Sequence, residues 1–220
     1  MKAQTAPLQS LSGEGMWLVN KPTGISSFGV VAKVRRQTGI TKVGHAGTLD
    51  PEAEGLMIIL VGKEFTRQAD SFLKLDKVYE VEATLGKNST TGDREGELTS
   101  ISITKPSKEE VRAALAAFTG EIMQTPPIYS AIKVGGQRAY KLARAGKTVE
   151  LAPRPVTIHQ IELLDYSYPK LAFRVHVSSG TYVRSLVQDI GVYLGTGAYM
   201  SALRRTQIGR YKLTDSVSID

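Results

Sequence analysis

The chain contains no cysteine. That excludes disulfides, thiolate nucleophiles and cysteine-based metal centres. Histidine is scarce: only His45, His159 and His176 occur, and none stands at metal-ligand spacing from another, so no metal site is expected. No apolar run approaches the roughly 18 residues of a transmembrane helix. The N-terminus lacks the charged-then-apolar pattern of an export signal. A soluble, cytoplasmic protein with no membrane partner is therefore expected. Phosphate-binding templates are missing as well. There is neither G-x-x-x-x-G-K-[ST] nor a G-x-G-x-x-G after a strand, and Gly195-Thr196-Gly197 reads as a turn. Glu52 and Glu54 lie close together, but no second acidic cluster accompanies them, and they read as solvated loop acids.

What is present is a chain of 220 residues, 41% hydrophobic and 22% charged, with a formal net charge of +7. That suits one domain, or two small ones, with a real core. The basic surplus points to a polyanionic partner, most often nucleic acid, or to a surface charged for solubility. Gly15 to Val19 reads as a strand. Ser26-Ser27 supplies an N-cap for a helix that stops at Gly39, with Phe28, Val31 and Val34 on one face. Leu56 to Val61 reads as a fully buried strand, and Val78 to Leu85 alternates as a half-buried one. Gly86 to Glu97 reads as a long polar turn. Ser107-x-x-Glu110 is a capping box opening a helix with Val111, Leu115 and Phe118 inward, closed by Gly120. A hairpin is expected to turn near Pro169, a short helix to cover Ser185 to Gly195, and a basic strand to run through Ala202 to Leu213. Strand pairs mixed with helices indicate an α+β fold with a largely antiparallel sheet.

Two constellations could carry chemistry. Asp50 lies in VGHAGTLDPEAEG, Val43 to Gly55. Gly44 and Gly47 permit close approach, Pro51 fixes the next turn, and a strand follows. The carboxylate there is either an Asx-turn or cap, or a functional group. In SSGTYVRSLVQDIG, Ser178 to Gly191, Tyr182 and Arg184 sit between a strand and a helix. Tyr182 reads as core or pocket lining, and Arg184 as surface or as the partner of a buried acid. An Arg beside a buried Asp would keep it ionised.

Six ordered motifs then carry a resemblance: LVNKPTGISS, VGHAGTLDPEAEGL, KVYEVEATLG, QTPPIYSAIKVGGQRAYKLARAG, SSGTYVRSLVQDIG and GAYMSALRRTQIG. From about Gly15 to its end, the chain closely resembles the TruB-type pseudouridine synthases, the tRNA pseudouridine-55 synthase group. The resemblance implies a pseudouridine synthase fold: a mixed, mainly antiparallel sheet flanked by helices, with a central catalytic cleft. It implies isomerisation of uridine to pseudouridine at position 55 in the T-loop of tRNA, with no cofactor and no metal. Asp50 would be the catalytic aspartate, Tyr79 would stack on the target base and assist proton removal at C5, and Arg184 would pair with Asp50. Tyr182 would line the pocket, and Lys21 and Pro22 would support its floor. Leu203 would pack near the base, and His45 would fill the space left by rearranged loop nucleotides. An aromatic face and an inserted side chain offset the cost of extruding a base. Lys133, Arg138, Lys141 and Arg144 would hold T-arm phosphates, as would Arg204 and Arg205.

Residues 1–13, polar and irregular, read as a flexible tail, and a catalytic domain is expected over residues 14–220 without a C-terminal PUA-like domain, the largest departure from the family's pattern. The resemblance implies no guide RNA and no obligate protein partner. Two smaller departures also stand out: Glu54, where the family carries a small or hydroxyl residue, and the segment Gly62 to Arg67. A guide-RNA-dependent synthase and a catalytically idle RNA-binding module are the rival readings. The second need not keep Asp50, Tyr79 and Arg184 together.

Overall fold

The structure, a computed structural model, describes residues 12–130, 132–147 and 149–219. Residues 1–11 of the expected tail lie outside it. The chain forms two compact units, one of residues 12–80 with 203–219 and one of residues 81–202.

The first unit opens with β1 (Gly15–Lys21), α1 (Ser27–Thr38), β2 (Val43–His45) and β3 (Glu54–Val61). Two short helices, α2 (Lys63–Thr66) and α3 (Ala69–Leu73), and the start of β4 (Lys77–Leu85) follow. From Gly55 to Val61 every residue of β3 is buried, as its unbroken apolar run requires. β1 lies antiparallel to it from Gly15↔Val61 to Lys21↔Gly55, and β2 pairs with its second half, His45 opposite Ile59. Leu56, Ile58 and Leu60 pack with Ala46, Ile208 and Leu213 in one apolar cluster. α1 begins and ends where its caps demand. Ser26 accepts from the Gly29 N–H at 3.0 Å, and Gly39 donates back to Arg35. Its buried face is Ser27, Val30, Val31 and Val34. Phe28, expected inside, is instead exposed, with the Arg35 guanidinium 5.6 Å from its ring centre. The buried stripe begins one residue earlier, at Ser27 and Val30, because the hydroxyl of Ser27 has a task inside.

The second unit continues β4 from Val81 and alternates as expected, with Val81, Ala83 and Leu85 buried. The segment read as one long polar turn is in fact a hairpin of β5 (Lys87–Ser89) and β6 (Leu98–Ser100). Between these strands Asp93 makes an isolated bridge to Met200. Next come α4 (Lys108–Ala117), β7 (Gly120–Gln124), the small hairpin β8 (Lys133–Val134) with β9 (Gln137–Arg138), and α5 (Ala139–Arg144). The capping box of α4 is present in both directions. Phe118 terminates that helix only half-buried, edge-on to Tyr193 with ring centres 6.1 Å apart. Gly120 belongs to β7, not to the helix end. The expected hairpin is β10 (Arg154–Ser167) against β11 (Lys170–Val177). It brings His159 and His176, distant in sequence, to a ring separation of 4.6 Å. α6 (Val183–Tyr193) starts two residues before its expected position, and β12 (Ala198–Ile208) then leads back into the first unit. There β13 (Tyr211–Lys212), a 3₁₀ turn and β14 (Val217–Ser218) close the chain.

Strand order is β14-β1-β3-β12 in the first unit and β12-β4-β11-β10-β7 in the second. The β1/β14 and β3/β12 pairs are parallel. Antiparallel pairing joins β1 to β3, β2 to β3, β7 to β10, β10 to β11 and β12 to β13. The α+β class with a mainly antiparallel sheet is thus observed.

Candidate active site

Asp50 stands in the turn between β2 and β3, half-buried, and its carbonyl accepts the Ala53 N–H at 3.1 Å. Three side chains grip the backbone around it. Ser27, buried in the first turn of α1, donates its hydroxyl to the Leu49 carbonyl and accepts the Leu49 N–H, both at 2.8 Å. Lys21, fully buried at the end of β1, donates Nζ to the carbonyls of Pro22 and Ile25 at 2.8 Å and of Pro51 at 3.0 Å. Arg205, 1% exposed, donates Nε to the Leu56 carbonyl at 2.8 Å and Nη2 to the Gly47 carbonyl at 3.0 Å.

Arg205 was expected to hold an RNA phosphate from the surface. Its burial corrects that expectation, because a guanidinium spent on core carbonyls is not available to a phosphate. Glycine is required opposite it. Gly55 sits at φ 108° in register with Arg205, and a Cβ there would run into the Arg205 backbone.

The parallel register also places Arg204 beside Glu54, with Nε 3.4 Å from the carboxylate on a half-exposed edge. Glu54 was expected as a solvated loop acid and stood out as a departure. It is the first residue of β3 and has an arginine counter-ion. The pair leaves Arg204 partly engaged within the chain.

Burial dominates the electrostatics of this unit. It pushes the Lys21 amine down to about 8, against the opposing pull of Glu52, Asp50 and Glu54. Burial, with Arg205 nearby, also lowers the His45 imidazole, which keeps that half-buried side chain neutral at physiological pH. Tyr79 lies on the inner face of β4, 9% exposed. Leu203 is half-buried on β12, and Pro22 is exposed beside Lys21.

The second unit holds Arg184 at the start of α6, 7% exposed. Nη2 donates to the Tyr129 carbonyl at 2.9 Å and Nη1 to the Thr91 carbonyl at 3.2 Å, while Nη1 lies 3.6 Å from the Asp93 carboxylate. Asp93 is itself held, accepting from the Thr91 hydroxyl at 2.5 Å and the Glu95 N–H at 3.1 Å. Tyr182, two residues before Arg184, is clasped too. Gln124, 1% exposed, accepts the Tyr182 N–H at 2.7 Å and donates to the Tyr182 carbonyl at 3.1 Å. Arg154 lies 5.2 Å from the centre of the Tyr182 ring and donates to the Gly180 carbonyl at 2.6 Å. Tyr182 and Arg184 therefore share one corner, rigidly held.

Sequence reasoning missed Ser27 as an anchor, Gln124 and Asp93. Ser27 was read only as half of an N-cap pair, and Asp93 was hidden in a polar segment read as a turn. Among the basic residues expected to touch RNA, Arg138 and Lys141 are exposed at the start of α5 and within it. The side chains of Lys133 and Arg144 lie outside the described residues.

Residues 35–183 match the model of the TruB family pseudouridylate synthases, N-terminal domain. Residues 184–220 match that of the tRNA pseudouridylate synthase B C-terminal domain. The chain belongs to the TruB family of pseudouridylate synthases. It is 46% identical to the tRNA pseudouridine synthase B of Protochlamydia amoebophila over 205 residues, 93% of this chain and 78% of that one. It is also 46% identical to the Opitutus terrae protein of the same name, over 94% of this chain and 86% of that one. Among solved structures it resembles a chain of a Cbf5–Nop10–Gar1 complex, with a TM-score of 0.71 and 31% identity over 90% of this chain. A second match, from the archaeal box H/ACA Nop10–Cbf5 complex, has a TM-score of 0.67 and 29% identity. This TruB-family chain spans about half the length of those two solved chains. No helix among its described residues is long and apolar enough to cross a membrane.

Proposed function

We propose that this TruB-family chain isomerises uridine to pseudouridine at position 55 in the T-loop of tRNA. The observation that carries the reading is the carboxylate of Asp50 on a loop gripped at Gly47, Leu49 and Pro51 by side chains that are themselves buried. A surface acid needs no such support, and a group that must meet one atom of a substrate does.

The reaction breaks the N1–C1′ bond of the target uridine, turns the base and joins C5 to C1′; C5 gives up its proton and N1 gains one, so the composition is unchanged. Asp50 is the catalytic aspartate, acting on the base, on the sugar carbon or on a sugar proton. Arg184 partners it and favours the ionised carboxylate. Support for that role comes from a guanidinium buried and oriented by two carbonyls and Asp93. Tyr79 offers the aromatic face on which the extruded base stacks and assists at C5. Tyr182 and Leu203 line the pocket, Lys21 and Pro22 support its floor, and His45 fills the space vacated by the loop.

Arg138 and Lys141 grip T-arm phosphates, with Lys133, Arg144 and Arg204 in the same role. Residues 14–220 act as the catalytic domain, in the cytoplasm, without a guide RNA. Higher identity to relatives named tRNA pseudouridine synthase B than to the Cbf5 chains supports the guide-free reading.

The test is incubation of the protein with an unmodified tRNA transcript, followed by mapping of pseudouridine along it. One new pseudouridine at position 55 is expected. Tight binding with no pseudouridine would instead identify an idle RNA-binding module, and modification only with an added guide would identify the guided class.

A further inference from the structure

We propose that Ser27 and Arg205 are positioning residues that hold the Asp50 carboxylate through the backbone on either side of it. The inference rests on the reading of Asp50 as the catalytic aspartate. Neither side chain is placed to serve RNA. Ser27 is 3% exposed and Arg205 1%, and the hydrogen bonds described for both end on main-chain atoms of the catalytic loop or of the start of β3 that follows it.

The geometry of each bond is specific to position. The Leu49 carbonyl that Ser27 donates to belongs to the peptide unit whose nitrogen is that of Asp50. The Leu49 N–H that Ser27 accepts belongs to the unit before it. One hydroxyl therefore fixes two consecutive peptide planes at 2.8 Å each, immediately ahead of the carboxylate. Arg205 uses the spread of its guanidinium differently. Nη2 holds the Gly47 carbonyl before the turn and Nε the Leu56 carbonyl after it. The two ends of the loop are thus set at a fixed separation. Gly47 takes φ 105° there, and a Cβ on it would stand 3.4 Å from Arg205 Nη1.

Burying a guanidinium is costly, and an apolar side chain of similar volume would fill the space more cheaply. What an apolar replacement could not do is hold two carbonyls at once. Because displacing a reacting group by about 1 Å costs on the order of 100-fold in rate, the gain from this arrangement falls on turnover and not on RNA affinity.

The test compares wild type, Ser27→Ala and Ser27→Thr. The readouts are the single-turnover rate of pseudouridine formation with enzyme in excess, the dissociation constant for the same tRNA, and thermal melting. Ser27→Ala is expected to lower the rate about 10- to 100-fold with affinity unchanged within twofold, and Ser27→Thr, which keeps the hydroxyl, to recover most of the rate. If Ser27→Ala melts below the assay temperature, Arg205→Lys takes its place. The single nitrogen of a lysine cannot stand at both the Nε position that meets Leu56 and the Nη2 position that meets Gly47, and the same loss of rate at constant affinity is expected. A rate within twofold of wild type, or rate and affinity falling by the same factor, would overturn the proposal. An inactive wild type would overturn the functional reading instead.

Discussion

Replacing Lys21 with methionine offers the sharpest physical test of how the Asp50 loop is held. The Lys21 amine is fully buried and donates to three carbonyls, one of them Pro51, the residue after Asp50. Burial lowers it to about 8 from an ordinary 10.5. The shift corresponds to a penalty of about 3 kcal/mol on the charged form. Removing the amine, by contrast, leaves the Pro22, Ile25 and Pro51 carbonyls without this donor, at about 1–3 kcal/mol for each one that stays unsatisfied. Lys21→Met is therefore less stable than wild type at pH 7.

The pH dependence has a definite sign. Between about 8 and 10.5 the unfolded chain keeps the Lys21 proton while the folded chain has lost it, so stability rises with pH. Wild type gains about 2 kcal/mol from this group between pH 7.5 and 9.5, and the methionine variant gains nothing from it. Lys77, also lowered to about 8 by burial, is common to both proteins and cancels. Urea unfolding of the pair across this range should show the stability gap widening by about 2 kcal/mol. A constant gap, or one that narrows because Glu52, Asp50 and Glu54 keep the amine charged, would refute the reasoning.

Other substitutions probe the remaining parts. Arg184→Lys should cut single-turnover pseudouridine formation at least about 100-fold, since a single ammonium nitrogen cannot stand at both the Nη1 position that faces Thr91 and Asp93 and the Nη2 position that faces Tyr129. Turnover near the wild-type rate would exclude a catalytic role for the guanidinium. Gly55→Ala should destabilise the fold by at least about 2 kcal/mol in urea unfolding, because alanine disfavours φ 108° and its Cβ meets the Arg205 backbone. An unchanged midpoint would mean that β3 and β12 separate easily. Binding of tRNA should weaken about 100-fold from 50 to 200 mM salt if four phosphates are held. A flat response in filter binding would remove Arg138 and Lys141 from the interface.

Much of the fold was legible because local chemistry decides it. Ser26 and Gly39 bound α1, the Ser107–Glu110 box starts α4, and strict alternation from Val78 to Leu85 forms β4. What could not be read depends on partners far away in the chain. Arg205 looks like any arginine of a basic segment until parallel pairing sets it against Gly55. The same register gives Glu54 its arginine, which no local pattern announces. Asp93 sits in a polar stretch whose two ends form a hairpin, and its importance appears only when the Arg184 guanidinium arrives beside it. Phe28 followed helical spacing but lost the inner position to Ser27, whose hydroxyl bonds Leu49. The fold thus followed from periodicity and capping. The supports of the site followed from long-range register, which short motifs do not encode.

The central claim is that the Asp50 carboxylate performs the chemistry on a uridine of the T-loop. The most direct measurement is pseudouridine formation on a T-arm hairpin by wild type and by Asp50→Asn, with binding of the same hairpin measured alongside. The account predicts no detectable pseudouridine from the variant, with affinity close to that of wild type. Pseudouridine formed by Asp50→Asn at the wild-type rate would contradict it.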